Sequence, residues 1–463
     1  MSVPVISDNQ RTMQVPALGP ERPVSWACRT VRTLPNGLQV VVAESKFIPK
    51  VTAQLFMRSG NAVVAHRSPG LADMTAAVVR TGTESRSSRR IEEDLRRMGG
   101  DMSTTAGADS SAMGISGLAE FSQGLLDLMA DLARHAILPV SQFEREQSQR
   151  VEDLRISRTT PGFLGSERLR RVLFGAHPYG TIAPTEEQVK SYTRDALADF
   201  YRTYYVPAES LLLVVGDVDS NKILEQVERA FGSWKAPMPP ATERPAPPEI
   251  SGRKVYLVHL PGTVQTDVSI GNRAITRNDP NWLRLVLTNS IYGGAFHSRL
   301  VMNIREQKGY TYTPRSSAVP LRQHGYFAVH AAVRNDVVAA SLSEIFYELD
   351  RMRSLPVGDA ELDDARNYLT GVFSLSAATQ DGLLGQLSTV YLERLAEDYL
   401  ETYRQRVRAL TAEDVLATAR RYLDSKNAQI VVVGDQSVIG EQAALFGEVE
   451  VYDAHGNRLG NIS

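Results

Sequence analysis

Read as a string of apolar and polar positions, the chain falls into two stretches of similar plan. The first opens at Thr33 with Asn36-Gly37, a pair that favours the left-handed conformations of a tight hairpin turn, and the apolar run 38–42 reads as the strand that follows it. Positions 50–59 alternate enough for a second strand. An unbroken run at 71–79 suits a helix, opened by Pro69-Gly70 and closed by Gly82 as a C-terminal cap. Residues 89–98 read as a polar-faced helix ending at Gly99-Gly100, and the Ser-, Thr- and Gly-rich residues 102–118 as two strands. An amphipathic helix at 121–135 places Leu125, Leu128, Met129 and Leu132 on one face. The pattern Ser141-x-x-Glu144 predicts a capped helix start, with the helix running to Ser157 before Pro161. Residues 166–173 are helical, His177-Pro178-Tyr179-Gly180 is a turn, and Thr193 caps a helix. The strand 211–215, Gly216-Asp217 and a helix at 223–234 complete the stretch.

Between 235 and 252 stand Pro237, Pro239, Pro240, Pro245, Pro247 and Pro248. Proline this dense removes backbone donors and fixes φ, so the segment reads as a stiff linker rather than helix or central strand. The second stretch then opens with strands at 254–260 and 266–273, and a helix at 281–292 stands where 71–79 stood before. Thr411 caps a helix, and 429–433 leads to Gly434-Asp435. The two caps are offset by 411 − 193 = 218 and the two aspartates by 435 − 217 = 218. Equal offsets indicate duplication, and ~220 residues is an ordinary domain size. The expected fold is α+β, two tandem homologous domains, each an antiparallel sheet with helices packed on one face. The first domain spans 32–234 and includes the helix 70–83, the linker spans 235–252, and the second domain spans 253–449. An extended N-terminal arm (1–31) and a C-terminal tail (450–463) flank them.

Composition narrows the function classes. At 463 residues the chain exceeds what one core serves, in keeping with two domains. Hydrophobic residues make up 43% and charged residues 22%, with a net charge of −2, which argues against a broadly basic nucleic-acid or membrane surface. No window approaches ~18 consecutive apolar residues, so no membrane span is expected. Cys28 is the sole cysteine, which excludes an intrachain disulfide. The first 25 residues lack the basic start and apolar centre of a secretory signal, which makes the cytoplasm the expected compartment.

The search for chemistry begins with the histidines, His66, His135, His177, His259, His297, His324, His330 and His455; no two share a helical face. His324 and His330 share a strand face but stand ~20 Å apart at ~3.3 Å per residue, too far to hold one ion. Gly293-Gly294 is not followed by Lys-Ser/Thr, which argues against a phosphate loop, and no Gly-x-Ser-x-Gly elbow occurs. The small residues Ser374 to Thr379 read as a break between helices.

Four local signatures remain: Leu34-Pro-Asn-Gly-Leu38, the helix framed by Gly70-Leu71-Ala72 and Gly82-Thr83, the segment from Glu146 to Gly180, and GGAFHSRLVMNIREQKGYTYTPRSSA at 293–318. In this order, over roughly Arg32 to Val449, they resemble the insulinase/pitrilysin metallopeptidase family, which includes mitochondrial processing peptidase. The resemblance implies a duplicated α+β domain whose shorter members pair as dimers around an unfolded peptide. In that family the framed helix carries His-x-x-Glu-His, two zinc ligands and a general base. Here the matching positions are Asp73, Ala76 and Ala77. A methyl group donates no lone pair and a catalytic zinc takes three protein ligands, so no metal is expected in this chain. Glu146, with Asp153 seven residues on, matches the family's later acidic positions; without partner ligands it is expected to be solvated or ion-paired.

The segment 293–318 resembles the family's second-domain signature, in which an Arg ending a helix and a Tyr on the next strand reach a peptide held at the metal. The matching residues are Arg305 and Tyr312, with Tyr310 the alternative if the register slips by two. Both side chains can donate to a carbonyl oxygen or a developing oxyanion. The structural alternative is an ion pair from Arg305 to Glu306 and a half-buried strand position for Tyr312. A degenerate metal helix with a retained Arg/Tyr pair looks like the non-metal partner in bacterial two-subunit enzymes. The resemblance thus implies a peptidase homologue inactive alone, with Arg305 and Tyr312 as catalytic and substrate-binding residues, acting in a heterodimer with a zinc-motif-bearing sister. Zinc would sit in that partner. The alternative is a catalytically inert structural or core subunit of a larger complex. The Pro-rich arm is similar to the lead-in of exported members, so the compartment becomes periplasmic if a signal precedes it and is removed.

Overall fold

The computed structural model describes residues 24–242 and 244–462. The first half holds six strands, β1 (Arg29–Thr33), β2 (Gln39–Glu44), β3 (Lys50–Met57), β4 (Asp101–Ala106), β5 (Ser111–Leu118) and β6 (Ser210–Gly216), in the order β1-β2-β6-β3-β5-β4. The second holds β7 (Lys254–His259), β8 (Gln265–Ala274), β9 (Arg315–Pro320), β10 (Gly325–Arg334), β11 (Gln429–Gly434), β12 (Val449–Tyr452) and β13 (Arg458–Ile462), in the order β13-β12-β7-β11-β8-β10-β9. The run β2-β6-β3-β5-β4 has its counterpart in β7-β11-β8-β10-β9. In each, the first pair is parallel and the other three antiparallel. The strands β6 and β11 end at Gly216 and Gly434, and 434 − 216 = 218, the offset already visible in the sequence.

The chain is thus the expected pair of α+β domains, with one parallel pairing in the first sheet and two in the second, each where strands distant in sequence meet. Three boundaries differ from the sequence reading. Residues 29–31 of the arm pair with β2 as part of β1, while residues 1–23 lie outside the described residues. The segment 450–463 is not an appended tail: β12 and β13 extend the second sheet, β12 pairing parallel with β7. The helix predicted from a Ser141 cap begins one residue earlier, at Val140, with Pro139 in the cap position. By contrast, Thr193 and Thr411 do cap their helices, each accepting a backbone N–H three residues on. Asn36 also acts as expected: its Oδ1 accepts from Leu38 N at 3.1 Å, and Gly37 takes φ +90, which a side chain would strain. No helix or strand occurs in the described part of 235–252.

Each sheet buries one face under helices of its own half, as expected. On the first sheet, Val40, Val42, Leu212 and Val214 meet the amphipathic helix Ser122–His135 and its neighbours. The other face is not left to solvent. Each half sends one helix across to cover the other half's sheet. Helix Pro161–Phe174 of the first half places Leu164, Leu169, Leu173 and Phe174 on Tyr256, Val258, Val431 and Val433 of the second sheet. Helix Gln380–Leu392 of the second half sets Leu383, Leu384 and Leu387 on the side of the first sheet carrying Val41, Ala43, Leu211, Leu213 and Val215. Each such leucine contributes about 2 kcal/mol on burial. Of the residues 374–379, the first three end the preceding helix and Ala377 to Thr379 make the turn that launches the second crossing helix, with Thr379 capping it through Gly382 N at 3.0 Å. Two-sided cover explains why β6, SLLLVVG, is buried along its whole length.

The first crossing helix lies very close to a polar patch. A Cβ at Gly165 would stand 2.6 Å from Asp267 Oδ1 and 3.0 Å from Ser269 Oγ. Ser269 donates to Asp267 at 3.1 Å and lies 2.9 Å from His330 Nδ1, its cross-strand neighbour. Burial, helped by the Arg315 charge, depresses the His330 imidazole to about 4. Burial pushes Asp267 up, against the pull of Ser269 and Arg315.

Gly165→Ala should cost about 2 kcal/mol, because the helix must back away from β8 to admit the methyl group; urea unfolding measures it, and an unchanged midpoint would refute the close approach. Between pH 6.5 and 4 the unfolded chain takes up a proton that folded His330 refuses, so stability falls as pH falls through that window, by up to about 3 kcal/mol. Asp267, with a raised pKa, contributes in the opposite sense. Comparing thermal midpoints of the parent and His330→Gln across pH 4–7 isolates the histidine, and the variant should show the shallower decline.

Candidate functional site

Helix Leu71–Val79 forms where the sequence places it, but its ends differ in detail. Gly70 enters it at φ +86, where any Cβ would also meet Pro184 at 2.9 Å, and the helix closes at Arg80. Gly82 is not the cap; it bridges to Ser87 beyond. Leu71, Met74, Ala76 and Val78 are buried in the first-half core, while Ala77 is half-buried. The carboxylate of Asp73 accepts from Asn61 Nδ2 at 3.2 Å. Burial raises its pKa, and three influences draw it back: the Arg150 charge on helix Val140–Ser157, the Asn61 amide and the Ala106 backbone N–H.

These residues do not fit a metal. Ala76 and Ala77 present methyl groups, the one carboxylate is already hydrogen-bonded, and the nearby guanidinium of Arg150 opposes a dication. The acids of the adjacent helix are turned to other uses: Glu146 pairs with Arg145 at 3.1 Å, and Asp153 accepts from Gln149 Nε2 at 2.9 Å. Among the described residues no group of three or more His, Cys, Asp or Glu side chains is placed to hold an ion.

The His177-Pro178-Tyr179-Gly180 turn ties the two halves together. Tyr179 donates to Asp109 at 2.6 Å, Asp109 accepts Arg322 N at 3.0 Å, and His177 Nε2 lies 3.3 Å from Gln323 Oε1. The rings of His177 and His324 meet edge to face at 5.2 Å, and burial lowers both pKa values. This cluster joins residues up to 213 positions apart, and no local motif announced it.

In the second half, the segment 299–307 is helical and widens to π turns over Val301–Gln307. Such turns are rare and recur at functional sites. Arg299 anchors its start through two 2.7 Å bonds to Glu361. Asn303 donates to Glu344 and Glu348 at 2.9 Å. Arg305 follows near the end. Its Nε pairs with Glu306 at 3.2 Å, as the structural alternative anticipated, and its guanidinium also lies 4.8 Å from the Phe296 ring centroid and 4.7 Å from that of Tyr312. Tyr312, rather than Tyr310, is thus the tyrosine stacked on the arginine. It sits in the bend before β9 rather than on a strand and is 76% exposed, not half-buried. Phe296, 58% exposed, was not singled out by the sequence; its place within the 293–318 signature was the only signal available. The helix Leu71–Val79 and the Arg305–Tyr312 pair belong to different halves: the helix packs on β4 and β5, whereas the Arg305 segment packs on helix Val338–Ser354. No helix among the described residues is long and apolar enough to cross a membrane.

Two family models match. Residues 39–166 match insulinase (peptidase family M16), and residues 191–369 match the peptidase M16 inactive domain. Among curated proteins, the chain is 25% identical over 411 residues to an uncharacterized zinc protease of Streptomyces coelicolor, covering 87% of this chain and 89% of that one. It is 23% identical over 389 residues to the uncharacterized zinc protease YmxG of Bacillus subtilis, covering 78% and 93%. Among solved structures, it superimposes on a peptidase M16 inactive domain from Pseudomonas fluorescens with TM-score 0.81 at 24% identity, covering 88% of this chain and 98% of the other. A protease from Helicobacter pylori matches at TM-score 0.82 and 21% identity, covering 88% and 99%. At these identities the structural matches speak for the fold.

Although relatives bear the name zinc protease, the purified chain should carry well below one zinc ion per molecule by elemental analysis. Chelator should leave its thermal midpoint unchanged. Stoichiometric zinc, or a chelator-dependent loss of stability, would show that donors other than Asp73, Ala76 and Ala77 assemble a site.

Proposed function

The chain belongs to the insulinase (peptidase M16) family, and from that premise we propose that it is the non-metal-binding subunit of a heterodimeric zinc peptidase. It binds an extended peptide and lends Arg305 and Tyr312 to the active site of a sister chain that carries the intact zinc motif. One observation carries this reading: the helix that should hold the ion offers a single carboxylate, Asp73, already hydrogen-bonded, while the Arg/Tyr pair is stacked together and its tyrosine is open to solvent.

In this reading the water that attacks the amide would be activated by the zinc of the sister chain. The contribution of this chain is binding and polarisation. Guanidinium and phenol both donate, so together they can hold a peptide carbonyl oxygen and stabilise the charge that gathers on it as the amide is attacked. Arginine suits the task because its charge does not depend on pH in any relevant range. The Arg305–Glu306 pair stands at the surface, where such a pair is worth little, so a peptide carbonyl can compete for the arginine.

Alone, the chain should cleave no peptide in a chelator-sensitive way; mixed with a zinc-motif partner of similar length, it should form a dimer that does. In that dimer Arg305→Ala and Tyr312→Phe should each lower kcat by about 10²–10³-fold, the cost typical of a lost oxyanion donor. Size-exclusion chromatography should show the assembly intact. Unchanged turnover in both variants would favour an inert structural subunit instead.

A further inference from the structure

The surroundings of Arg305 carry more than the pair itself. Its guanidinium has two aromatic rings within 5 Å, Phe296 at 4.8 Å and Tyr312 at 4.7 Å. The Nε edge is taken by Glu306 at 3.2 Å. Rings attract a guanidinium through its flat faces, whereas its N–H groups donate in the plane. With Nε engaged by Glu306, the Nη groups are the donors left for a further acceptor. The side chain is only 24% exposed, so the approach to them is narrow. Phe296 also lies edge to face with His297, ring centroids 5.5 Å apart, which holds the ring in place. Even so, 58% of Phe296 is open to solvent, an exposed aromatic directly beside the donor of the proposed carbonyl clamp.

We propose that Phe296 is a specificity-determining residue: it selects peptides that carry a large apolar side chain next to the carbonyl bound by Arg305. The inference rests on the reading of Arg305 as a peptide-binding group. The side chain adjacent to a carbonyl held by the guanidinium lies within a few ångströms of it, and Phe296, 4.8 Å from that guanidinium and 58% exposed, offers an aromatic surface at that range. A Phe or Leu side chain covers that surface and gains an aromatic or aliphatic contact, whereas Ala leaves it wet. The phenol of Tyr312 flanks the guanidinium too, but its hydroxyl is committed to the carbonyl in the same reading, so the apolar preference falls to Phe296.

The test uses the full chain and a pair of short, unstructured, fluorescein-labelled peptides that differ only in a central Phe or Ala, with affinity read by fluorescence anisotropy. The parent chain should bind the Phe peptide about three- to tenfold more tightly. Phe296→Ala should bring the two affinities together, and Phe296→Tyr should keep them apart, which shows that the ring and not the fold is responsible. Arg305→Ala should weaken both peptides by a similar factor. The proposal is overturned if the parent shows no preference or no binding, if Phe296→Ala leaves the ratio intact, or if it weakens both peptides equally. If instead Arg305→Ala changes neither affinity while Phe296→Ala still levels them, the reading of Arg305 has failed and Phe296 acts as a separate apolar contact.

Discussion

The exchange of one helix between the two halves is the constraint on which the rest depends. A sheet covered on a single face would leave Val41, Ala43, Leu211, Leu213 and Val215 of the first half wet, and Tyr256, Val258, Val431 and Val433 of the second. Each half lacks the helix that would cover these residues and receives it from the other. Neither half can therefore bury its own sheet alone, and separating them would expose apolar area on both at once. Around this exchange lie polar ties that set orientation: Lys50 and Thr52 reach Asp381 at 3.3 and 3.2 Å, and Tyr179, Asp109 and Arg322 link the two strand-connecting loops.

A frame held this way places the helix Leu71–Val79 and the helical residues 282–294 against equivalent edges of two sheets in different halves, with the Arg305 segment following directly and packing on helix Val338–Ser354. The helix Leu71–Val79 meets β4 and β5, while the helical region 282–294 meets β9. Duplication made both places available, and they have diverged. In the first half the space a metal would occupy has gone to packing, with Ala76 in the core and Asp73 engaged by Asn61. In the second, the π turns bring Arg305 beside Phe296 and Tyr312. The first place thus offers a ligand one hydrogen-bonded carboxylate, and the second a guanidinium and a phenol.

The energetic logic of the two sites differs accordingly. Asp73 is a buried carboxylate whose raised pKa records the cost of desolvation, moderated by Arg150 and Asn61. It is satisfied locally and offers little to a ligand. Arg305 is partly exposed, stacked on its faces and paired to a neighbouring surface acid. Ring contacts restrain the side chain, so an acceptor that met it would cost less rotamer entropy than at a free arginine.

Much was decided by sequence alone. The 218-residue spacing of caps and Gly-Asp turns announced the duplication, because equal local chemistry recurs wherever a domain is copied. Thr193, Thr411 and Asn36 did what their side chains dictate within three residues of themselves, and alanine at 76 and 77 excludes ligation in any fold. Tertiary structure alone decided what depends on remote neighbours. The parallel pairing of β2 with β6, the strands at 449–462, the cover of each sheet by the opposite half and the His177–His324 contact join residues far apart in sequence. Tyr312 lies in a bend rather than a strand because the chain must turn out of the 299–307 helix to reach β9, and Phe296 becomes visible as a partner of Arg305 only once that turn has folded. Local pattern sets propensity, whereas the partner of each exposed face is chosen by which other surface needs covering.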